Sequence, residues 1–139
     1  MAKLTLDFEE AFELDFLLIG IACHIKDYRL AYCINKALDW DLRRTDDLDL
    51  FVKNEQALFS MYEYQVEEDL KSYHLISNRS DKGLLIPERK ESDFFIQLYG
   101  EFTDEQFTHI KKEIQKIKFV LTSFEIDPSK LKSGNNLLI

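Results

Sequence analysis

Proline occurs twice, glycine four times and cysteine twice in 139 residues. With so few breakers the chain favours packed regular structure over long loops. Four scattered glycines cannot build the Gly-rich turn of a Walker or dinucleotide fingerprint, which argues against the common nucleotide-dependent enzymes. Two cysteines, Cys23 and Cys33, make neither a disulfide framework nor a C-x-x-C pair. They suit a cytoplasmic chain with reduced thiols. His24, His74 and His109 are scattered, and no H-E-x-x-H run exists, so no metal and no other cofactor is expected.

Basic charge is also short. Lysine and arginine number 18 against 26 acids, a net charge of −8. That balance disfavours nucleic acid and acidic membrane surfaces, whose binders carry a basic footprint. The local basic groups, Arg43-Arg44, Arg89-Lys90, Lys111-Lys112, Lys130 and Lys132, read as solvated positions among acids. The longest apolar run, Phe16 to Cys23, falls well short of the ~20 residues needed to cross a bilayer. The start, Met1-Ala2-Lys3-Leu4-Thr5-Leu6-Asp7, lacks an apolar h-region and turns acidic at once, so it does not read as a signal peptide.

What is present is a substantial core. Hydrophobic residues make up 45% and charged residues 32%, with eleven Phe and six Tyr. These proportions predict a single globular domain over residues 1–139. Phe12, Leu14, Phe16 and Leu18 alternate with Glu13 and Asp15, the period of a half-buried strand, and Ile19-Gly20-Ile21 turns apolar on both faces. A helix from Asp15 to Cys23 competes with that reading.

Asp27 is placed to cap a helix from Tyr28 to about Leu38, with Leu30, Ala31, Ile34, Ala37 and Leu38 as its apolar stripe. A short strand is expected near Leu48 to Val52. The runs Leu58 to Tyr64 and Ser72 to Ser77 predict an antiparallel hairpin with a long connection, and Asn78 to Gly83 is the clearest loop. A strand from Asp93 to Tyr99 would put Phe94, Ile96 and Leu98 on one face. Thr103 and Gln106 have capping-box spacing and open a second helix, with Phe107, Ile110, Ile114 and Ile117 as its seam. That seam could run on through Leu121 and Phe124. The strand formers from Phe119 to Phe124 instead favour a break near Lys118. The resulting fold class is α+β: a mainly antiparallel sheet of about five or six strands, with two main helices on one face.

No residue set reads as catalytic. Cys23 lies beside His24, but neighbours on a strand point to opposite faces, so Cys23 reads as a small buried side chain. Carboxylates concentrate in the stretch Ile86-Pro87-Glu88-Arg89-Lys90-Glu91-Ser92-Asp93-Phe94-Phe95. Pro87 cannot donate within a central strand and marks a loop edge. Ile86, Pro87, Glu88, Asp93 and Phe94 thus form a loop-to-strand joint. Its acids, together with Arg29 and His24, are the candidate binding residues.

Ile86-Pro87-Glu88, three variable residues and Ser92-Asp93-Phe94 resemble the signature of the IPE-x-x-x-VDY family of small Bacteroidetes proteins. Ser92 stands where that signature has Val and Phe94 where it has Tyr, so a hydroxyl is missing at the second position. Leu18-Ile19-Gly20-Ile21, Asp27-Tyr28-Arg29-Leu30-Ala31 and the tail from Asp127-Pro128 to Leu138 are similar to the same family, extending the resemblance over nearly the whole chain. The resemblance implies no particular activity.

The expected role is that of a small cytoplasmic interaction or accessory protein, binding a protein partner through the 86–95 motif and the neighbouring strand edge, or forming a homo-oligomer. An enzyme using Glu88 or Asp93 with His24 and Arg29 is the alternative, and requires those groups to converge. A third reading is an RNA-associated protein using the Lys111–Lys118 face.

Overall fold

Strict alternation needs a sheet surface to point at, and the strand after the motif has one on each side. The structure, a computed structural model, describes residues 15–139. Phe12, Glu13 and Leu14, the first part of the predicted alternation, lie outside the described residues.

The described chain runs β1 (Leu17–Cys23), α1 (Asp27–Leu38), β2 (Arg43–Arg44), β3 (Leu48–Val52), β4 (Glu55–Phe59), β5 (Met61–Val66) and β6 (Lys71–Ser77). It continues through β7 (Arg79–Ser80), β8 (Gly83–Leu84), β9 (Phe94–Tyr99), α2 (Asp104–Gln115) and β10 (Val120–Ile126), then two 3-10 turns. Six strands form one antiparallel sheet in the order β10-β1-β9-β6-β5-β2. The hairpins β3-β4 and β7-β8 stand apart from it. The fold is α+β.

Both helices cover one face. Leu30 and Ile34 of α1 and Phe107, Ile110 and Ile114 of α2 pack with Ile19, Ile21, Leu75, Ile96 and Leu98 of the sheet. The other face is equally dry. There Leu18, Ile76 and Phe95 meet Ala57 and Phe59 of β4, Leu85 and Ile86 before the motif proline, and Leu137 of the tail. The apolar residues on both sides of β1 therefore reflect a central strand, flanked by β10 and β9.

Local signals explain most boundaries. Thr103 and Gln106 complete a reciprocal capping box at the start of α2. A turn after that helix ends it before β10, so the seam does not continue into a longer helix. At α1 the expected cap shifts by one residue. Lys26 holds the capping position without a side-chain bond, and Asp27 is already helical, its Oδ1 accepting the Tyr28 amide at 2.9 Å. Ala37 is exposed rather than part of the buried stripe. The run Leu58 to Tyr64 splits at Ser60. Its first half belongs to β4, which folds over the second face and buries Phe59 together with Ala57 ahead of the run, so that of the two strands β5 alone pairs with β6.

Gly20 sits where β1 passes beneath the motif. A Cβ there would lie 2.6 Å from Ser92 Oγ, 2.8 Å from the Phe124 ring and 2.9 Å from Ile126 Cδ1. Overpacking of this kind costs ~1–3 kcal/mol. Gly20→Ala should lower unfolding stability by about that amount in urea titration. A midpoint equal to wild type would show that the second core has room to give.

Candidate functional site

The joint between loop and strand is organised by a side chain outside the motif. Asn78 follows β6 and is fully buried. Its Oδ1 accepts the Ile86 amide at 2.7 Å, while Nδ2 donates to the carbonyls of Arg89 at 3.0 Å and Ser92 at 2.9 Å. Its backbone amide donates to the Asp93 carbonyl, and its own carbonyl accepts the Leu85 amide, both at 2.9 Å. One residue thereby satisfies the backbone on both sides of the turn, as buried polar groups require. Arg89 N donates to the Ile86 carbonyl at 3.0 Å, which closes the turn around Pro87.

Asp93 is buried at the start of β9. Its amide donates to the Ile21 carbonyl at 2.8 Å, and its Oδ2 accepts the Cys23 amide at 2.8 Å. The carboxylate thus takes the place of a ladder partner beyond the last β1-β9 pair, Ile21 with Phe94. Its Oδ1 accepts Arg79 Nε at 2.5 Å, and Arg79 Nη2 donates to the Lys90 carbonyl at 3.0 Å. The arginine side chain is half exposed, so solvent screens its end of the pair, whereas the Asp93 end is enclosed.

Glu88 points elsewhere. Its Oε2 accepts the Ser133 amide at 2.7 Å, tying the exposed side of the motif to the tail. Partial burial pushes its carboxyl upward, but hydrogen bonds from the Ser133 amide and hydroxyl and the neighbouring backbone outweigh that and leave it below the ordinary value. Two further tethers hold the tail: Gln97 Nε2 donates to the Leu137 carbonyl at 2.6 Å, and Asn136 Nδ2 to the Leu85 carbonyl at 2.9 Å.

The four candidate binding residues do not converge. His24 and Asp93 share a shallow depression of about 330 Å³ with Cys23, Ser77, Arg79 and Phe94. Glu88 is engaged with the tail, and Arg29 lies over the Phe119 ring with its guanidinium carbon 4.8 Å from the centroid. Within the depression Asp93 already accepts from Arg79 and Cys23. Burial pushes the Cys23 thiol up, Asp93 and Cys33 add to the rise, and the Ile25 amide opposes it. A thiol held protonated is a weak nucleophile. Among the described residues no group of three or more His, Cys, Asp or Glu could hold a metal ion, and no helix is long and apolar enough to cross a membrane.

Sequence reasoning missed Asn78, Arg79 and Gln97. The first two lie in the Asn78–Gly83 turn cluster and look like its other polar members. Gln97 shares a strand face with Phe95, which was the available sign that its amide would be buried. Comparison of the chain with protein-family models, curated proteins and solved structures found no match.

Removing the Asn78 side chain strands the Ile86 amide and the Ser92 carbonyl and leaves the Arg89 carbonyl with the Ser92 amide alone. With each orphan costing ~1–3 kcal/mol, Asn78→Ala should destabilise by roughly 3 kcal/mol or more in chemical denaturation. A loss below about 1 kcal/mol would mean that water replaces the amide.

The Glu88 contact carries a pH signature. Its folded carboxyl titrates below its ordinary 4.5, so the contact contributes fully above that pH and is lost as pH falls through the folded value. Glu88→Gln should flatten the acid limb of the stability curve below pH 4.5, with little change in slope at neutral pH. An unchanged acid limb would show that this carboxylate does not hold the tail.

Proposed function

We propose that this chain is a small interaction protein that binds a protein partner through the exposed side chains of the 86–95 loop-to-strand joint. The observation that carries the reading is the contrast within that segment. Its backbone is pinned from inside by Asn78 and its Glu88 carboxylate is tied to the tail, while Pro87, Lys90 and Glu91 face solvent. A loop held in one conformation loses little entropy on binding, so its contacts translate efficiently into affinity. Exposed loops on a rigid scaffold are common carriers of recognition.

The manner of binding differs from strand addition next to the motif. β9 is interior, flanked by β1 and β6, and offers no free edge. Recognition therefore runs through side chains, and the mixed signs of Glu88, Arg89, Lys90 and Glu91 suit a partner of mixed charge. A reducing, cytoplasmic setting suits two free cysteines.

The enzyme alternative needs a convergence of Glu88, Asp93, His24 and Arg29, and only His24 and Asp93 lie together. The RNA alternative gains no support from the Lys111–Lys118 face, where Lys111 pairs with Glu125 at 3.3 Å and Lys116 with Glu113 at 3.4 Å.

Charge reversal separates recognition from folding, because Lys90 and Glu91 are exposed, the Lys90 contact to Arg79 uses only its backbone, and the Arg89–Glu91 ion pair is solvated and contributes little to stability. The double variant Lys90→Glu, Glu91→Lys should keep wild-type thermal stability while losing the proteins that co-purify with the tagged chain from native lysate. Recovery of the same proteins by a stable variant would sink the reading.

A further inference from the structure

In a chain of net charge −8 a surface cation readily finds an acid, as Arg79 finds Asp93 and Lys111 finds Glu125. On the outer face of α1 the cations meet rings instead. The Arg29 guanidinium carbon lies 4.8 Å from the centroid of Phe119, and Lys118 Nζ lies 6.0 Å from the same ring. Lys36 Nζ stands 5.5 Å from the centroid of Tyr32. Among the described residues none of these three cations forms an ion pair. A ring contact at an exposed site leaves the solvent side of the charge open to an anion.

Helical spacing gathers these groups. Tyr28, Tyr32 and Lys36 follow one another at i, i+4 and i+8, opposite the buried Leu30 and Ile34, with Arg29 beside them. Tyr28 is 60% exposed and Tyr32 63%. Two large rings bared on one ridge differ from scattered single apolar residues and mark a contact surface. Tyrosine and arginine are also the side chains in which interface anchors are enriched. The ridge from Tyr28 to Lys36 is about 12 Å long, enough for about two helical turns or four extended residues of a partner. Asp27, the acid at its start, already accepts the Tyr28 amide.

Charge names the occupant. Three unpaired cations favour carboxylates, and the acidic remainder of the surface repels them, so an acidic segment is directed to this face. A nucleic-acid strand would need open ring faces for base stacking, but Lys36 lies over Tyr32 and Arg29 over Phe119. Carboxylates need only the outward side of each cation.

We propose that the outer face of α1, together with Lys118 and Phe119, docks a short acidic segment of a protein partner. Its Asp or Glu carboxylates meet Arg29, Lys36 and Lys118, and its apolar side chains cover Tyr28 and Tyr32. This surface shares no residue with the motif loop, so either reading can fail without the other.

The probe is a peptide of about ten residues alternating glutamate and leucine, long enough to cover the ridge. Titrated at low salt into the isotope-labelled full chain, it should shift the amide resonances of residues 28–36 and 118–119. The same peptide with lysine for glutamate should leave them in place. Lys36 is exposed, so Lys36→Glu keeps the fold, as its melting temperature will check, and it should weaken binding. Adding Arg29→Glu should bring the loss to at least about tenfold. The motif variant Lys90→Glu, Glu91→Lys should bind the peptide as wild type does. Absent shifts, shifts confined to other residues, or a Lys36→Glu chain that binds as wild type overturns the proposal. So does a single-stranded oligouridylate that binds these amides as tightly as the glutamate peptide.

Discussion

The side-chain amide of Asn78 is the constraint on which the rest of the motif region depends. It answers the backbone of residues 86, 89 and 92 from inside the fold, where water cannot substitute cheaply. Its backbone continues the β6-β9 pairing one step past the ladder, through the Asp93 carbonyl. Asp93 then passes the constraint to β1 by accepting the Cys23 amide. The end of β6, the turn around Pro87, the start of β9 and the end of β1 are consequently one mechanical unit. Arg79 closes its solvent side by joining the Asp93 carboxylate to the Lys90 carbonyl.

Two unlike layers sandwich the sheet. The helical layer is held by apolar seams of ordinary amphipathic helices. The opposite layer is assembled from a hairpin, a two-residue strand pair and 3-10 turns, none of which would persist alone in water. Polar tethers do for this layer what helical periodicity does for the other. Gln97 and Asn136 fix the tail over Phe95 and Leu85, and Leu137 is fully buried as a result.

What was legible in the chain follows from the range of each interaction. The period-two pattern of Phe94 to Tyr99, the Thr103–Gln106 cap and the break before Val120 are local signals, and the structure has a strand, a capped helix and a second strand there. Asn78 looked like any turn former because its bonds reach 8 to 14 residues ahead. Composition also could not reveal that the Leu58 to Tyr64 run serves two different sheets, since that depends on which face Ala57 and Phe59 must cover. Pro87 was readable as a loop marker, whereas the separation of Glu88 and Arg29 from His24 and Asp93 was not, because strand order is a global property.

The tail tethers bear on the order in which the molecule can be completed. Gln97 waits 40 residues for Leu137, Glu88 waits 45 for Ser133 and Leu85 waits 51 for Asn136. Closure of such long loops is entropically slow relative to local hairpins. On a ribosome, β5-β6 can form while later residues are still inside the exit tunnel, whereas the second core stays open until residues 133–137 have emerged. During that interval the cluster of Phe59, Ile86 and Phe95 lacks the cover that Leu137 supplies, so this layer is the one that early chaperone contact would shield.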